Sequence, residues 1–337
     1  MRVIVQLFFI HLFSIALVSA QITTEEILIK NDTIELPGTL SYSKKNSPLL
    51  IWIHGSGNVD RNGNQGTMVK ANYIQQFREA INKNEIAFFS YDKRTSNKKN
   101  FKFLKETLFD DFANDAKKVV NYFKEDQRFS KIILVGHSQG SLVAMLASEK
   151  IDGYISLAGT PDPIDITISK QLSKQSAELA ETATSYFKEL KKTGDVKEVH
   201  PFLATIFSKQ NLPFFLSWMQ YNPKEELKKL NMPVLIVNGT KDIQVPIEDA
   251  KPLHISNKNI ETIFIENMNH VLKDIQVSVD DAKALHEANK NSEKKIINDM
   301  NHVLKDIQKD EDNLSSYYSP DYKISKELIK TIVEFVN

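Results

Sequence analysis

The sequence predicts an α/β protein: a mostly parallel central sheet flanked by helices, with an inserted helical cap. Three observations predict it. Apolar, β-rich runs alternate with helical patterns along most of the chain, the habit of a sheet covered on both faces. At Pro161 that rhythm stops, and to about Leu230 helix follows helix with no convincing strand. An apolar run then resumes at 233–238. A chain of 337 residues is long enough for one such domain with an inserted subdomain. The expected division is a signal peptide at 1–20, a core at 21–160 and 231–337, and a cap at 161–230.

Residues 1–20 carry Arg2, then a mostly apolar stretch, and end in Val18-Ser19-Ala20. That is the pattern of a cleaved signal peptide, short for a membrane span and followed at once by polar residues. The expected location is therefore secreted or periplasmic, with no stable membrane anchor after cleavage. The chain has no cysteine, which excludes disulfides and thiolate metal ligands. Its 43 basic and 43 acidic residues balance, so no net charge draws it to nucleic acid or an anionic membrane. A small neutral or modestly polar substrate is the easier partner; oligomeric state is not legible.

Residues 25–30 and 38–42 predict an N-terminal hairpin. The continuous apolar run 49–53 predicts a strand buried on both faces; it ends in His54-Gly55-Ser56-Gly57 and a polar loop to about Gly66. A helix through Ile81, a strand at 86–91 and a helix near 110–123 follow. Next come a strand at 132–135, a helix from Ser138 to about Glu149 and a strand at 153–157. The chain closes with a helix at about 325–336.

Gly136-His137-Ser138-Gln139-Gly140 lies where a buried strand meets a helix, the context in which G-x-S-x-G presents a serine nucleophile on a sharp turn. A serine hydroxyl needs a nearby base and an uncrowded approach, and the helix start supplies N–H groups to a developing oxyanion. Ser138 is the candidate nucleophile, and the backbone N–H groups of Gln139 and Ser56 are the candidate oxyanion donors. The rival reading of Gly55 and Gly57 as a dinucleotide loop fails, because position 60 is Asp and no helix starts there. Asp242, in the loop after the apolar run 234–237, is the candidate acid that orients the base.

The candidate bases are His270 and His302. Each stands in Met-Asn-His, because residues 241–276 reappear as 273–308 with 24 of 36 aligned positions identical. Two copies make a local tandem duplication, not a solenoid. The run 262–265 before His270 is apolar and follows the Asp242 strand through one helix. The matching run Lys294-Lys295-Ile296-Ile297 is more polar and needs the first copy looped out, although His302 belongs to the copy joined directly to the C-terminal segment. We pair Asp242 with His270, His302 being the alternative base.

At these motifs the sequence resembles bacterial α/β-hydrolases of the esterase and serine-aminopeptidase-like group, from about Glu25 to the C-terminus. The resemblance rests on His54 to Gly57 continuing to Asp60-Arg61-Asn62-Gly63-Asn64, Tyr91-Asp92-Lys93-Arg94, the Ser138 motif, Leu157-Ala158-Gly159, 239–245 and Met-Asn-His-Val-Leu-Lys. It departs at Thr95-Ser96-Asn97, where relatives commonly continue with glycine, and in the duplicated block. The resemblance implies the α/β-hydrolase fold and a carboxylesterase acting on short acyl esters without a cofactor. It implies structural ion pairs for Asp60, Arg61 and Arg94. An acyltransferase or peptidase using the same triad, or a non-catalytic binding protein of this fold, are the alternatives. The cap residues Phe202, Phe207, Phe214, Phe215, Trp218 and Tyr221 either line an acyl pocket or pack cap helices together.

Overall fold

A computed structural model describes residues 21–66, 69–239, 279–289, 291–309 and 311–337, for 279–283 the backbone only. The expected signal segment, Asp242 and His270 lie outside these residues. Among the described residues eight strands form one sheet: β1 (Thr23–Asn31), β2 (Ile34–Tyr42), β3 (Ser47–Ile53), β4 (Ala87–Tyr91), β5 (Phe129–His137), β6 (Gly153–Leu157), β7 (Val234–Gly239) and β8 (Glu293–Ile297). Their spatial order is β1-β2-β4-β3-β5-β6-β7-β8. β1 and β2 form the expected hairpin, turning at Asp32, a residue type that tolerates its φ of 51°. β2 joins β4 antiparallel, and every pairing from β4 to β8 is parallel.

Period-two alternation along β3 divides the core. Leu49, Ile51 and Ile53 face one side of the sheet, and Leu50 and Trp52 face the other. Helices α1 (Tyr73–Asn82), α2 (Phe109–Phe123) and α3 (Gln139–Leu146) follow strands as expected. α1 buries Ile74, Phe77 and Ile81, one helical stripe, against Trp52 and Phe88. Each such side chain, removed from water, stabilises the fold by roughly 1.5–3 kcal/mol. α2 and α3 cover the opposite face.

Between β6 and β7 lie four helices: α4 (Ile164–Ser173), α5 (Ala177–Thr193), α6 (Leu212–Trp218) and α7 (Pro223–Lys228). α5 shows why this stretch is helical. Ser176 Oγ caps it by accepting from Leu179 N–H, Glu178 opens it, Lys191 and Lys192 close it, and Gly194 terminates it at φ 76°. The C-terminal part adds α8 (Val279–Ala288), α9 (Asp312–Ser316) and α10 (Lys326–Val336). α10 buries Leu328, Ile332 and Val336 on the α1 side of the sheet. α9 and the 3-10 turn Lys98–Phe103 were not expected from the sequence.

One expectation is corrected. The strand beside β7 is β8 from the second copy of the duplication, Leu235 to Gly239 pairing with Glu293 to Ile297. The polar run that argued against this strand suits its place: β8 closes the order of the described sheet, and Glu293 and Lys294 are exposed there. Charged residues are what an edge strand tolerates. The run 262–265 lies outside the described residues.

Candidate active site

Ser138 sits between β5 and α3 at φ 54°, ψ −121°, a conformation that costs a non-glycine residue about 1–3 kcal/mol. The surroundings hold it there. Its N–H donates to Leu157 O at 2.9 Å, and its carbonyl accepts from Ser141 N–H at 2.9 Å. Behind it, Ser141 Oγ donates to Gly136 O and Tyr154 OH to Ser141 O. Position 140 must be glycine, because a Cβ there would stand 2.2 Å from Ile53 O and 2.6 Å from His54 O. That close approach brings the end of β3, with Gly55 and Ser56, against the start of α3.

His302 follows β8 on a tight loop and is buried. Two residues of the repeated Met-Asn-His-Val-Leu-Lys stretch build that loop. Asn301 Oδ1 accepts from Lys305 N–H, and Asn301 Nδ2 donates to Asn313 Oδ1 at 3.0 Å and Ser316 Oγ at 2.6 Å. The Lys305 ammonium donates to the carbonyls of Ala71, Ser316 and Ser319. Burial brings its pKa down to about 8, with Lys323 adding to the effect. The loop also lies over the end of β7, where a Cβ on Gly239 would stand 1.8 Å from Met300 O.

The serine turn and this loop meet through His137. Its Nε2 lies 2.8 Å from His302 O, and because a carbonyl only accepts, Nε2 carries the proton. The two rings are 4.8 Å apart, and His137 also stacks on Trp52 at 5.7 Å. Burial first, then the charge of His302, pushes the His137 pKa down to about 3. Burial and the nearby Lys93 do the same to His54, to about 3. Both are neutral near pH 7. A small cavity of about 30 Å³ touches Ser56, His137 and His302.

A larger cavity, about 550 Å³, is also lined by Ser56. Its walls include Gln139, Lys93 and the cap residues Phe214, Phe215 and Trp218. Of the cap aromatics, three therefore line this cavity and the others do not. Phe207 packs against Tyr186 and Phe187 within the cap, Tyr221 bonds Asp110, and Phe202 is largely exposed.

Arg61 and Arg94 form the ion pairs the resemblance implied. Arg61 forks onto Asp92 (2.9 and 3.0 Å) and also pairs with Glu26. Arg94 forks onto buried Asp115 (2.7 and 2.9 Å), which Asn31 also bonds. Asp60 differs: its carboxylate accepts the backbone N–H groups of Asn62 and Asn64 and shapes the loop. Between these anchors stands Lys93, for which the motif alone suggests no role. It is buried, with Nζ 2.8 Å from Gly55 O and 2.7 Å from Gln139 Oε1. A lysine at a strand end reads as solvated, and only its lying between two residues of opposite charge, Asp92 and Arg94, hinted otherwise. Among the described residues there is no group of three His, Cys, Asp or Glu arranged to hold a metal.

Comparison with known proteins agrees with the fold. The BD-FAE family model matches residues 39–256. Esterase EstD of Thermotoga maritima is 25% identical over 252 residues, which cover 70% of this chain and 58% of EstD. The chain therefore spans less than two thirds of that relative's length. Among solved structures, Est1E from Butyrivibrio proteoclasticus with ferulic acid bound is similar at 18% identity, with 92% and 98% of the two chains covered and a TM-score of 0.54. The Pyrococcus furiosus esterase Pf2001 is similar at 16% identity, with 93% and 90% covered and a TM-score of 0.54. The sheet order, the cap between β6 and β7 and these likenesses make this the α/β-hydrolase fold.

Proposed function

The chain belongs to the BD-FAE family, and from that premise we propose that it is a serine carboxylesterase hydrolysing short acyl esters through an acyl-enzyme. Ser138 Oγ attacks the ester carbonyl while His302 takes its proton; the alcohol leaves with a proton returned by His302. The N–H groups of Ser56 and Gln139 stabilise the tetrahedral oxyanion. Water, activated by the same histidine, then releases the acid. Asp242, three residues beyond the end of β7, supplies the carboxylate that orients the histidine. No cofactor enters these steps.

The observation that carries this reading is the strained Ser138 turn tied, through His137, to the loop bearing His302. It also moves our choice of base from His270 to His302, since His302 is the histidine that follows the strand beside β7. The cavity lined by Phe214, Phe215 and Trp218 supports a small ester with an apolar part as substrate. Export by the N-terminal segment, to the periplasm or beyond, belongs to the same proposal.

The test is hydrolysis of 4-nitrophenyl acetate and butyrate by residues 21–337, alongside Ser138→Ala, His302→Ala, His270→Ala and Asp242→Asn. We expect loss in the Ser138, His302 and Asp242 variants and near-normal rates in His270→Ala. Full activity in Ser138→Ala overturns the esterase reading; loss in His270→Ala with normal His302→Ala reverses the choice of base. A folded wild type inert toward both esters favours the binding-protein alternative.

A further inference from the structure

Lys93 is costly to bury, and among the described residues no carboxylate pairs with it to offset that cost. Its Nζ donates to a carbonyl (Gly55, 2.8 Å) and a carboxamide (Gln139, 2.7 Å) and lies 4.3 Å over the ring of Phe112. An ammonium removed from water and given only neutral acceptors is a poor way to stabilise a fold. Burial accordingly pulls its pKa down to about 7. The position is also enforced from both sides, by the Asp92–Arg61 fork before it and the Arg94–Asp115 fork after it.

The two acceptors belong to the two strands of chain that hold the proposed oxyanion donors. In a trans peptide the C=O and the following N–H point to opposite sides, so holding Gly55 O against Lys93 turns the Ser56 N–H the other way. Gln139, the second acceptor, begins α3, where the first backbone N–H groups have no partner within the helix. We propose that Lys93 is a positioning residue of the oxyanion hole, its ammonium clamping Gly55 to Gln139 so that the Ser56 and Gln139 N–H groups keep a fixed orientation. The proposal rests on the esterase reading above. Without the clamp, a peptide next to glycine is free to rotate and take one donor out of line.

The experiment compares wild type, Lys93→Met and Gln139→Leu for kcat and KM on 4-nitrophenyl butyrate. It also measures affinity for an alkyl trifluoromethyl ketone, whose serine adduct carries the same oxyanion. Losing one oxyanion donor outright costs about 100–1,000-fold in kcat, so misaligning one should cost Lys93→Met about 10–100-fold. The ketone affinity should fall in parallel and KM should stay within about twofold, the mark of an interaction made only in the transition state. A role in packing alone would lower the melting temperature and leave kcat and ketone affinity together; that result in folded Lys93→Met overturns the proposal. If Lys93→Met does not fold, Gln139→Leu decides: it removes one end of the clamp while keeping both backbone donors. A smaller parallel loss in kcat and ketone affinity supports the proposal, and unchanged values overturn it. A wild type inert toward the ester and unreactive with the ketone fails at the esterase reading itself, whereas an active wild type with unaffected variants fails only here.

Discussion

His137 donates its Nε2–H to the backbone carbonyl of His302 at 2.8 Å, which ties the residue before the proposed nucleophile directly to the proposed base. The bond spans 165 residues of sequence and leaves both rings buried. It makes His137 a brace between the serine turn and the loop after β8.

His137→Phe keeps a ring against Trp52 and removes the donor. The His302 carbonyl then loses this bond, at a cost of about 1–3 kcal/mol. We expect a lower urea midpoint and a loss of roughly tenfold in kcat with KM little changed, because base and nucleophile lose their common reference. Urea unfolding and steady-state kinetics on the same preparation check both halves. Unchanged kcat would show that the loop is held without the brace.

Stability should fall on the acid side. His54 and His137 have pKa values lowered from 6.5 to about 3 in the folded chain, by burial first. Between those limits the unfolded chain binds protons that the folded chain does not, so folding stability rises with pH and is lost as pH falls from about 6.5 toward 3. Each group contributes up to about 1.4 kcal/mol per pH unit in that window. Urea midpoints at pH 7.5 and 5 should differ more in wild type than in His54→Phe, which has no proton to gain.

Gly239→Ala tests the contact between β7 and the second-copy loop. The new Cβ would meet Met300 O at 1.8 Å, and that atom is backbone, so the loop itself must move. Overpacking typically costs about 1–3 kcal/mol, and a clash with backbone belongs at the upper end of that range. Soluble yield and melting temperature should drop sharply, and any folded fraction should lose kcat, since His302 lies two residues beyond Met300. A variant with wild-type melting temperature and rate would show that this approach is not close in solution.

The sheet, the cap and the Ser138 turn were legible in the sequence because their signals are local. Apolar runs of strand length, helical periodicity with capping residues such as Ser176 and Gly194, and glycines at 136 and 140 around a serine all act within one element or one turn. The role of Lys93 was not legible, because burial of a lysine depends on what lies over it, here Phe112 and the chain at Gly55 and Gln139. The cap aromatics were ambiguous for the same reason: Trp218 and Phe207 look alike as sequence, and only packing sends one to the cavity and the other to the cap interior.

The histidines show the division most sharply. By itself the sequence determined that a Met-Asn-His-Val-Leu-Lys loop should follow a strand near the end of the sheet, and it supplied that loop twice. Identical local sequence has identical local preference, so nothing within the motif distinguishes His270 from His302. Tertiary structure alone decided which copy the sheet takes up beside β7. Asn301 reaches Asn313 and Ser316, Lys305 reaches Ala71 and Ser319, and the charged β8 takes an outer position where lysines remain in water. Those partners lie outside the repeated unit, and their distance in sequence is why the repeat could not reveal them.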